Sequence, residues 1–139
     1  MKELYSEMIL RYARSEEFRG KIEDALEAED RNESCGDEVK LYIKVQDGIV
    51  KDASFEGRGC IVSMASSAMM IEAIRGKSLG EIKRTVENIE RMMRGEEFDE
   101  EAVGNAVVFS GISGIPARSK CFYLPWSVLK GVLKSIGEG

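Results

Sequence analysis

From Val39 to Phe55 apolar and polar residues alternate with a period of two, interrupted once at Gln46-Asp47-Gly48. Val39, Leu41, Ile43 and Val45 share one parity, while Lys40, Tyr42, Lys44 and Gln46 share the other. That pattern suits a strand buried on one face. A second strand is expected over about 49–56, with Ile49, Ala53 and Phe55 on one parity. A one-residue slip would send a strand's whole apolar set to the wrong face, so the register constrains the turn. A two-residue Asp47-Gly48 loop pairs Gln46 with Ile49 and sets Val45, Ile43 and Leu41 against Val50, Asp52 and Ser54. A three-residue loop pairs Val45 with Ile49, Ile43 with Lys51, Leu41 with Ala53 and Val39 with Phe55. The second choice gathers most apolar residues on one face and puts Gly48 where a three-residue hairpin needs a left-handed residue. The three-residue loop is therefore expected.

Around this hairpin the periodicity turns helical. Leu4, Tyr5, Met8, Ile9 and Tyr12 give residues 3–13 one apolar face. The charged stretch 19–34 is assigned to no element. Ile61–Arg75 reads as a helix closed by Gly76. Ser78-Leu79-Gly80-Glu81 fits a capping box, opening a helix with Leu79, Ile82, Val86 and Ile89 on one side and Gly95 at its end. A helical turn is expected at Asp99–Val103, a strand at Ala106–Phe109, a glycine-rich loop over 110–116 and a last helix over about 117–136. The order of elements predicts an α+β fold, a small antiparallel sheet with helices on one side, and residues 1–139 form one domain in this reading.

Composition removes whole classes of chemistry. The chain has no histidine, which excludes Ser-His-Asp and Cys-His catalysis and histidine zinc sites. A net charge of −5 without a basic aromatic-flanked cluster argues against a nucleic-acid partner. No apolar run approaches membrane-spanning length, and the opening MKELYSEMILRYARSEEF lacks the apolar core of a signal peptide. A cytoplasmic protein without a membrane partner is expected. There an odd count of three cysteines speaks against a disulfide framework and for thiolate chemistry.

Continuing the hairpin pairing past the strands sets residue 35 opposite residue 59, so Cys35 and Cys60 leave the same open end about 5 Å apart. Gly57 and Gly59 let the chain turn there. Cys60 precedes a helix, whose free amides and dipole favour a thiolate. Asp37 lies two residues from Cys35 and is a candidate oxygen ligand beside three sulfurs. Arg118, three residues before Cys121, shares a helical face with it and suits an anionic sulfur species. Pro125 deprives the Cys121 carbonyl of its helical donor, so a kink or restart is expected there. Nothing in the pairing brings Cys121 to the other two.

Blander roles fit each residue singly. Cysteines without CxxC spacing are common core filler, Asp37 suits a turn, Arg118 a solvated helix face, and Met64, Met69, Met70 and Trp126 a core.

Four segments then carry a resemblance: Ser34-Cys35-Gly36-Asp37, Gly57-Arg58-Gly59-Cys60, Ser63-Met64-Ala65-Ser66-Ser67 and Ala117-Arg118-Ser119-Lys120-Cys121. In this order, with a hairpin between them, they resemble the NifU/IscU/SufU iron–sulfur assembly proteins over nearly the whole chain. The chain is most similar to the SufU branch. Lys120 stands where IscU-type members carry histidine, no LPPVK segment precedes Cys121, and Arg118 lies three residues before the last cysteine. The resemblance implies that Cys35, Asp37, Cys60 and Cys121 bind zinc, iron or a labile [2Fe–2S] cluster. It also implies that Cys121 accepts persulfide from a cysteine desulfurase of the SufS/IscS kind, and that apo iron–sulfur proteins take the product. Scaffold and zinc-bearing sulfur relay use the same residues. A plain interaction module with buried cysteines and an independent thiol enzyme are the competing classes.

Overall fold

A computed structural model describes residues 2–112 and 116–137. In chain order the elements are α1 (Lys2–Arg14), β1 (Leu26–Asn32), β2 (Asp37–Gln46), β3 (Ile49–Arg58), α2 (Ile61–Ile74), α3 (Leu79–Met93), α4 (Glu100–Val103), a 3₁₀ helix (Gly104–Ile112) and α5 (Pro116–Ser135). The strands form one antiparallel sheet in the order β1-β2-β3, giving the expected α+β architecture.

The central hairpin keeps its expected parity by a different route. Gln46 pairs with Ile49, so the loop has two residues, not three. Asp47 and Gly48 both have positive φ, 55° and 75°, the requirement of the type I′ turn that Asp-Gly favours. The register then shifts between Lys44 and Val45: Val45 faces Val50 but Lys44 faces Asp52, leaving Lys51 as the extra residue of a bulge. That insertion brings Leu41 opposite Phe55 and Ile43 opposite Ala53, and all four are fully buried. Loop length is thus not the sole way to set the register: a bulge does the same.

β1 occupies part of the stretch left unassigned. It pairs with β2 from Leu26↔Ile43 to Asn32↔Asp37, and a connection over 33–36 joins them, with Gly36 at φ 74°. Phe18 and Gly20 bond the backbone of Phe55, so residues 18–20 run beside β3.

Helices α2 and α5 pack against the sheet, α2 on β3 and α5 on β1 and β2. Wedged also against α1, α2 buries an unbroken run from Ser63 to Ile71. Met64, Met69, Met70 and Trp126 lie in this core. Both halves of the capping box form at Ser78 and Glu81, and α3 turns Ile82, Val86 and Ile89 inward.

The strand expected at Ala106–Phe109 is a 3₁₀ helix. Val103, Ala106 and Phe109 are all buried, and a spacing of three matches three residues per turn. Residues 110–112, expected in a loop, belong to this helix, and Pro116 begins α5. Residues 113–115 of that expected loop lie outside the described residues. The last helix runs through Pro125 as one element, without a restart.

Candidate metal centre

Asp37 opens β2 and is fully buried. The observed pairing sets Glu38 against Arg58, so it is Asp37 that meets Gly59, correcting the expected approach of residues 35 and 59. The fit is close: a Cβ on Gly59, whose φ is +148°, would stand 2.2 Å from Asp37 Oδ1 and 2.9 Å from its Cα. Only a residue without a side chain leaves that carboxylate room.

Cys60 is the N-cap of α2, as its place before the helix suggested. Its sulfur accepts the Ser63 N–H at 3.5 Å, and the Ser63 hydroxyl donates to the Cys60 carbonyl at 3.1 Å. The Cys60 N–H donates to Asp37 Oδ1 at 2.8 Å. One carboxylate therefore joins the start of β2 to the start of α2. Ser63 belongs to this arrangement although the sequence argument gave it no role; its position three residues after a capping cysteine was the available signal.

Cys35 lies in the β1–β2 connection, where Asn32 O accepts the N–H groups of Cys35 (3.3 Å) and Gly36 (2.8 Å). Its thiol donates to Asp37 Oδ2 at 3.0 Å. Cys121, in the second turn of α5, completes the convergence that the hairpin argument lacked: its sulfur is 3.5 Å from that of Cys35. What brings it there is the packing of α5 on β1, β2 and α2.

One donor atom from each of Cys35, Asp37 and Cys121 falls within 4.8 Å of the others. Cys60 lies outside this tightest triple, yet its sulfur is 3.9 Å from Asp37 Oδ2. Two sulfurs on one tetrahedral zinc at about 2.3 Å stand roughly 3.8 Å apart, so the donor spacing fits a small thiophilic ion. Three sulfurs and one carboxylate suit zinc or iron by ligand type. Access is uneven, with Cys35 exposed, Cys60 half-buried and Cys121 buried. Arg118 is exposed and has no hydrogen bond or ion pair among the described residues.

Burial raises the Asp37 pKa, but donation from the Cys60 amide, the Cys35 and Cys121 thiols and Ser63 outweighs it, and the carboxyl is held below its usual value. The Cys121 thiol is pushed well up, first by burial and then by Asp37, Cys35 and Cys60 around it. Without metal the centre is a carboxylate receiving thiol protons, which a metal must displace. A surface hollow of about 680 Å³ is lined by charged residues such as Glu29, Lys40 and Arg58, and none of the cysteines lines it. The convergent thiols lie apart from that hollow.

A family model described as the NifU-like N-terminal domain matches residues 4–122. An iron–sulfur cluster assembly scaffold protein IscU from Thermotoga maritima is 52% identical over 138 residues, covering 99% of this chain and 97% of the relative. The zinc-dependent sulfurtransferase SufU of Bacillus subtilis is 38% identical over 136 residues, covering 96% and 92%. Among solved structures, FiSufU, the SUF-system scaffold candidate of Fervidobacterium islandicum AW-1, superimposes with a TM-score of 0.87. It is 44% identical over 92% of this chain and 95% of that one.

Proposed function

The chain belongs to the NifU-like N-terminal domain family, and on that premise we propose that it is an iron–sulfur cluster assembly protein. It accepts sulfur from a cysteine desulfurase and holds iron or a nascent [2Fe–2S] cluster as cargo on Cys35, Asp37, Cys60 and Cys121. The observation that carries this reading is the approach of Cys35, Asp37 and Cys121 to within 4.8 Å, although Cys121 lies 86 residues from Cys35 along the chain. A mixed thiolate and carboxylate set favours iron and sulfide, while the oxygen donor keeps the cargo labile enough to pass to apo acceptor proteins.

Cys121 holds the persulfide in this reading. It is buried and lies 3.5 Å from the sulfur of exposed Cys35. Cys121 rests as the thiol in the metal-free centre; once metal binding has released that proton to solvent, its thiolate attacks the outer sulfur of a persulfide, that sulfur moves to Cys121, and the donor cysteine leaves as a thiolate. Exposed Arg118, on the same helix, supplies a positive charge for the Cys121 persulfide when it ionises.

The test is anaerobic reconstitution with iron and sulfide. A chromophore lost in Cys→Ser variants supports the scaffold, and protein that stays colourless refutes it. Metal analysis of wild type against Asp37→Ala gives altered metal retention if Asp37 is a ligand, whereas a turn residue leaves retention unchanged.

A second reading is favoured by the 38% identity to the Bacillus subtilis sulfurtransferase. Here zinc resides on the same four residues, keeps the thiolates deprotonated, and the protein relays persulfide without building a cluster. Tight stoichiometric zinc with strong stimulation of a desulfurase supports the relay over the scaffold.

A further inference from the structure

Helix α2 places three serines in an otherwise apolar core: Ser63, Ser66 and Ser67 are all fully buried. A buried hydroxyl costs stability unless it is bonded. Ser63 and Ser67 bond within their own helix, Ser63 to the Cys60 carbonyl and Ser67 to the Ser63 carbonyl at 2.8 Å. Ser66 instead bonds across to α5. Its hydroxyl donates to the Phe122 carbonyl at 2.6 Å and accepts the Trp126 indole N–H at 3.0 Å. Phe122 and Trp126 are one helical turn apart, so α5 grips this single oxygen at two successive levels. Trp126 is itself fully buried, and its ring lies 6.4 Å from that of Phe122.

The place of this clamp gives it meaning. Phe122 directly follows Cys121, and Ser66 lies six residues, about 9 Å of helix, beyond the Cys60 cap of α2. The clamped turn is also the one that Pro125 weakens, because Pro125 offers no N–H to the Cys121 carbonyl. Where the ladder lacks its bond to the Cys121 carbonyl, a bond from α2 holds the carbonyl of the next residue.

We infer that Ser66, with Trp126 as its second contact, is the positioning residue that fixes Cys121 relative to Cys60, and so sets the geometry of the metal centre without touching it. The inference rests on the reading of Cys35, Asp37, Cys60 and Cys121 as one donor set. An apolar residue at position 66 would fill the core equally well but leave Cys121 free to shift along or around α5. Groups that orient a ligand from behind typically matter at 10-fold to 100-fold in metal affinity, and a bond one residue removed belongs at the lower end.

The experiment compares wild type, Ser66→Ala and Trp126→Phe, all prepared metal-free under reductant. Zinc affinity is measured by chelator competition, and the ligand-field bands of the cobalt(II)-substituted protein report the geometry. Thermal melts of the metal-free forms measure folding separately. The expected result for Ser66→Ala is about 10-fold weaker zinc with altered cobalt bands. Trp126→Phe keeps the Ser66–Phe122 bond and should show a smaller loss in the same direction; it decides the matter if Ser66→Ala does not fold. Zinc affinity and cobalt bands equal to wild type, whatever the melting temperature, would make Ser66 a packing residue and overturn the inference. Wild-type protein that takes up neither metal would overturn the reading of the donor set, and this inference with it.

Discussion

Replacing Gly59 by alanine tests how the centre is built, because one methyl group meets two separate constraints. The first is conformational. At φ +148° an L-residue is strained, at a cost of about 2 kcal/mol. The second is steric: the new Cβ would stand 2.2 Å from Asp37 Oδ1 and 2.9 Å from Asp37 Cα. The Cα belongs to backbone and yields little, so the carboxylate must swing away. That motion breaks the 2.8 Å bond from the Cys60 amide and leaves a buried charge short of a donor, costing about 2 kcal/mol more. Together they give a loss of about 4 kcal/mol, a large share of the roughly 5–15 kcal/mol by which a domain is stable. Gly48→Ala provides the control. Its φ is +75° but no atom lies within 4 Å of the added Cβ, so it should lose about 1 kcal/mol through conformation alone. Urea denaturation of both variants, metal-free and reduced, measures the difference. Equal losses at the two positions would refute the claim that Gly59 exists to admit the Asp37 carboxylate.

Three other outcomes follow from the same geometry. In metal-free protein, alkylation followed by mass spectrometry should find Cys35 reacting first, Cys60 next and Cys121 last, since exposure falls in that order and Cys121 is also held as the thiol. Equal rates would contradict the packing of α5. Glu90 is held below its usual pKa of 4.5: burial opposes this, but Lys130 at 2.8 Å and the Tyr123 hydroxyl outweigh it. Its contribution is therefore present above pH 4.5 and lost as pH falls through the depressed value, so the stability gap between wild type and Glu90→Gln should close in acid. A gap that widens on acidification would reverse that sign. Tyr12 is shifted the other way, raised to about 12 by burial and by its bond to Glu72. Tyr12→Phe should thus cost stability at neutral pH and progressively less above pH 10 in a pH-dependent melt.

Several of these elements were legible before any coordinates. Alternation marked β2 and β3, and the Ser78–Glu81 box placed the start of α3, because each signal is local and each element answers to its own neighbours in sequence. The loop length was misjudged because a bulge at Lys51 leaves no compositional mark. Ala106–Phe109 looked like a strand because Val107 and Val108 favour one, whereas burial at every third residue decided for a 3₁₀ helix. The centre was half legible. Cys35, Asp37 and Cys60 cluster at the open end of the β2–β3 hairpin, which sequence can suggest. Cys121 arrives with α5, whose packing on β1, β2 and α2 joins residues far apart in sequence, as in the bond between Ser66 and Trp126, and no local pattern announces it.

β1 escaped the sequence reading for a reason that has its own consequence. Its segment, LEAEDRN, is mostly charged, and Leu26 and Ala28 are its sole apolar members. Yet β1 is an outermost strand with one hydrogen-bonded neighbour, and an open edge of this kind is a template on which a second molecule can add its own strand. Glu27, Glu29 and Asp30 set matching negative charges against any copy that approaches edge to edge. The residues that make the strand hard to recognise thus place like charges along its open edge, beside the connection that carries the exposed thiol.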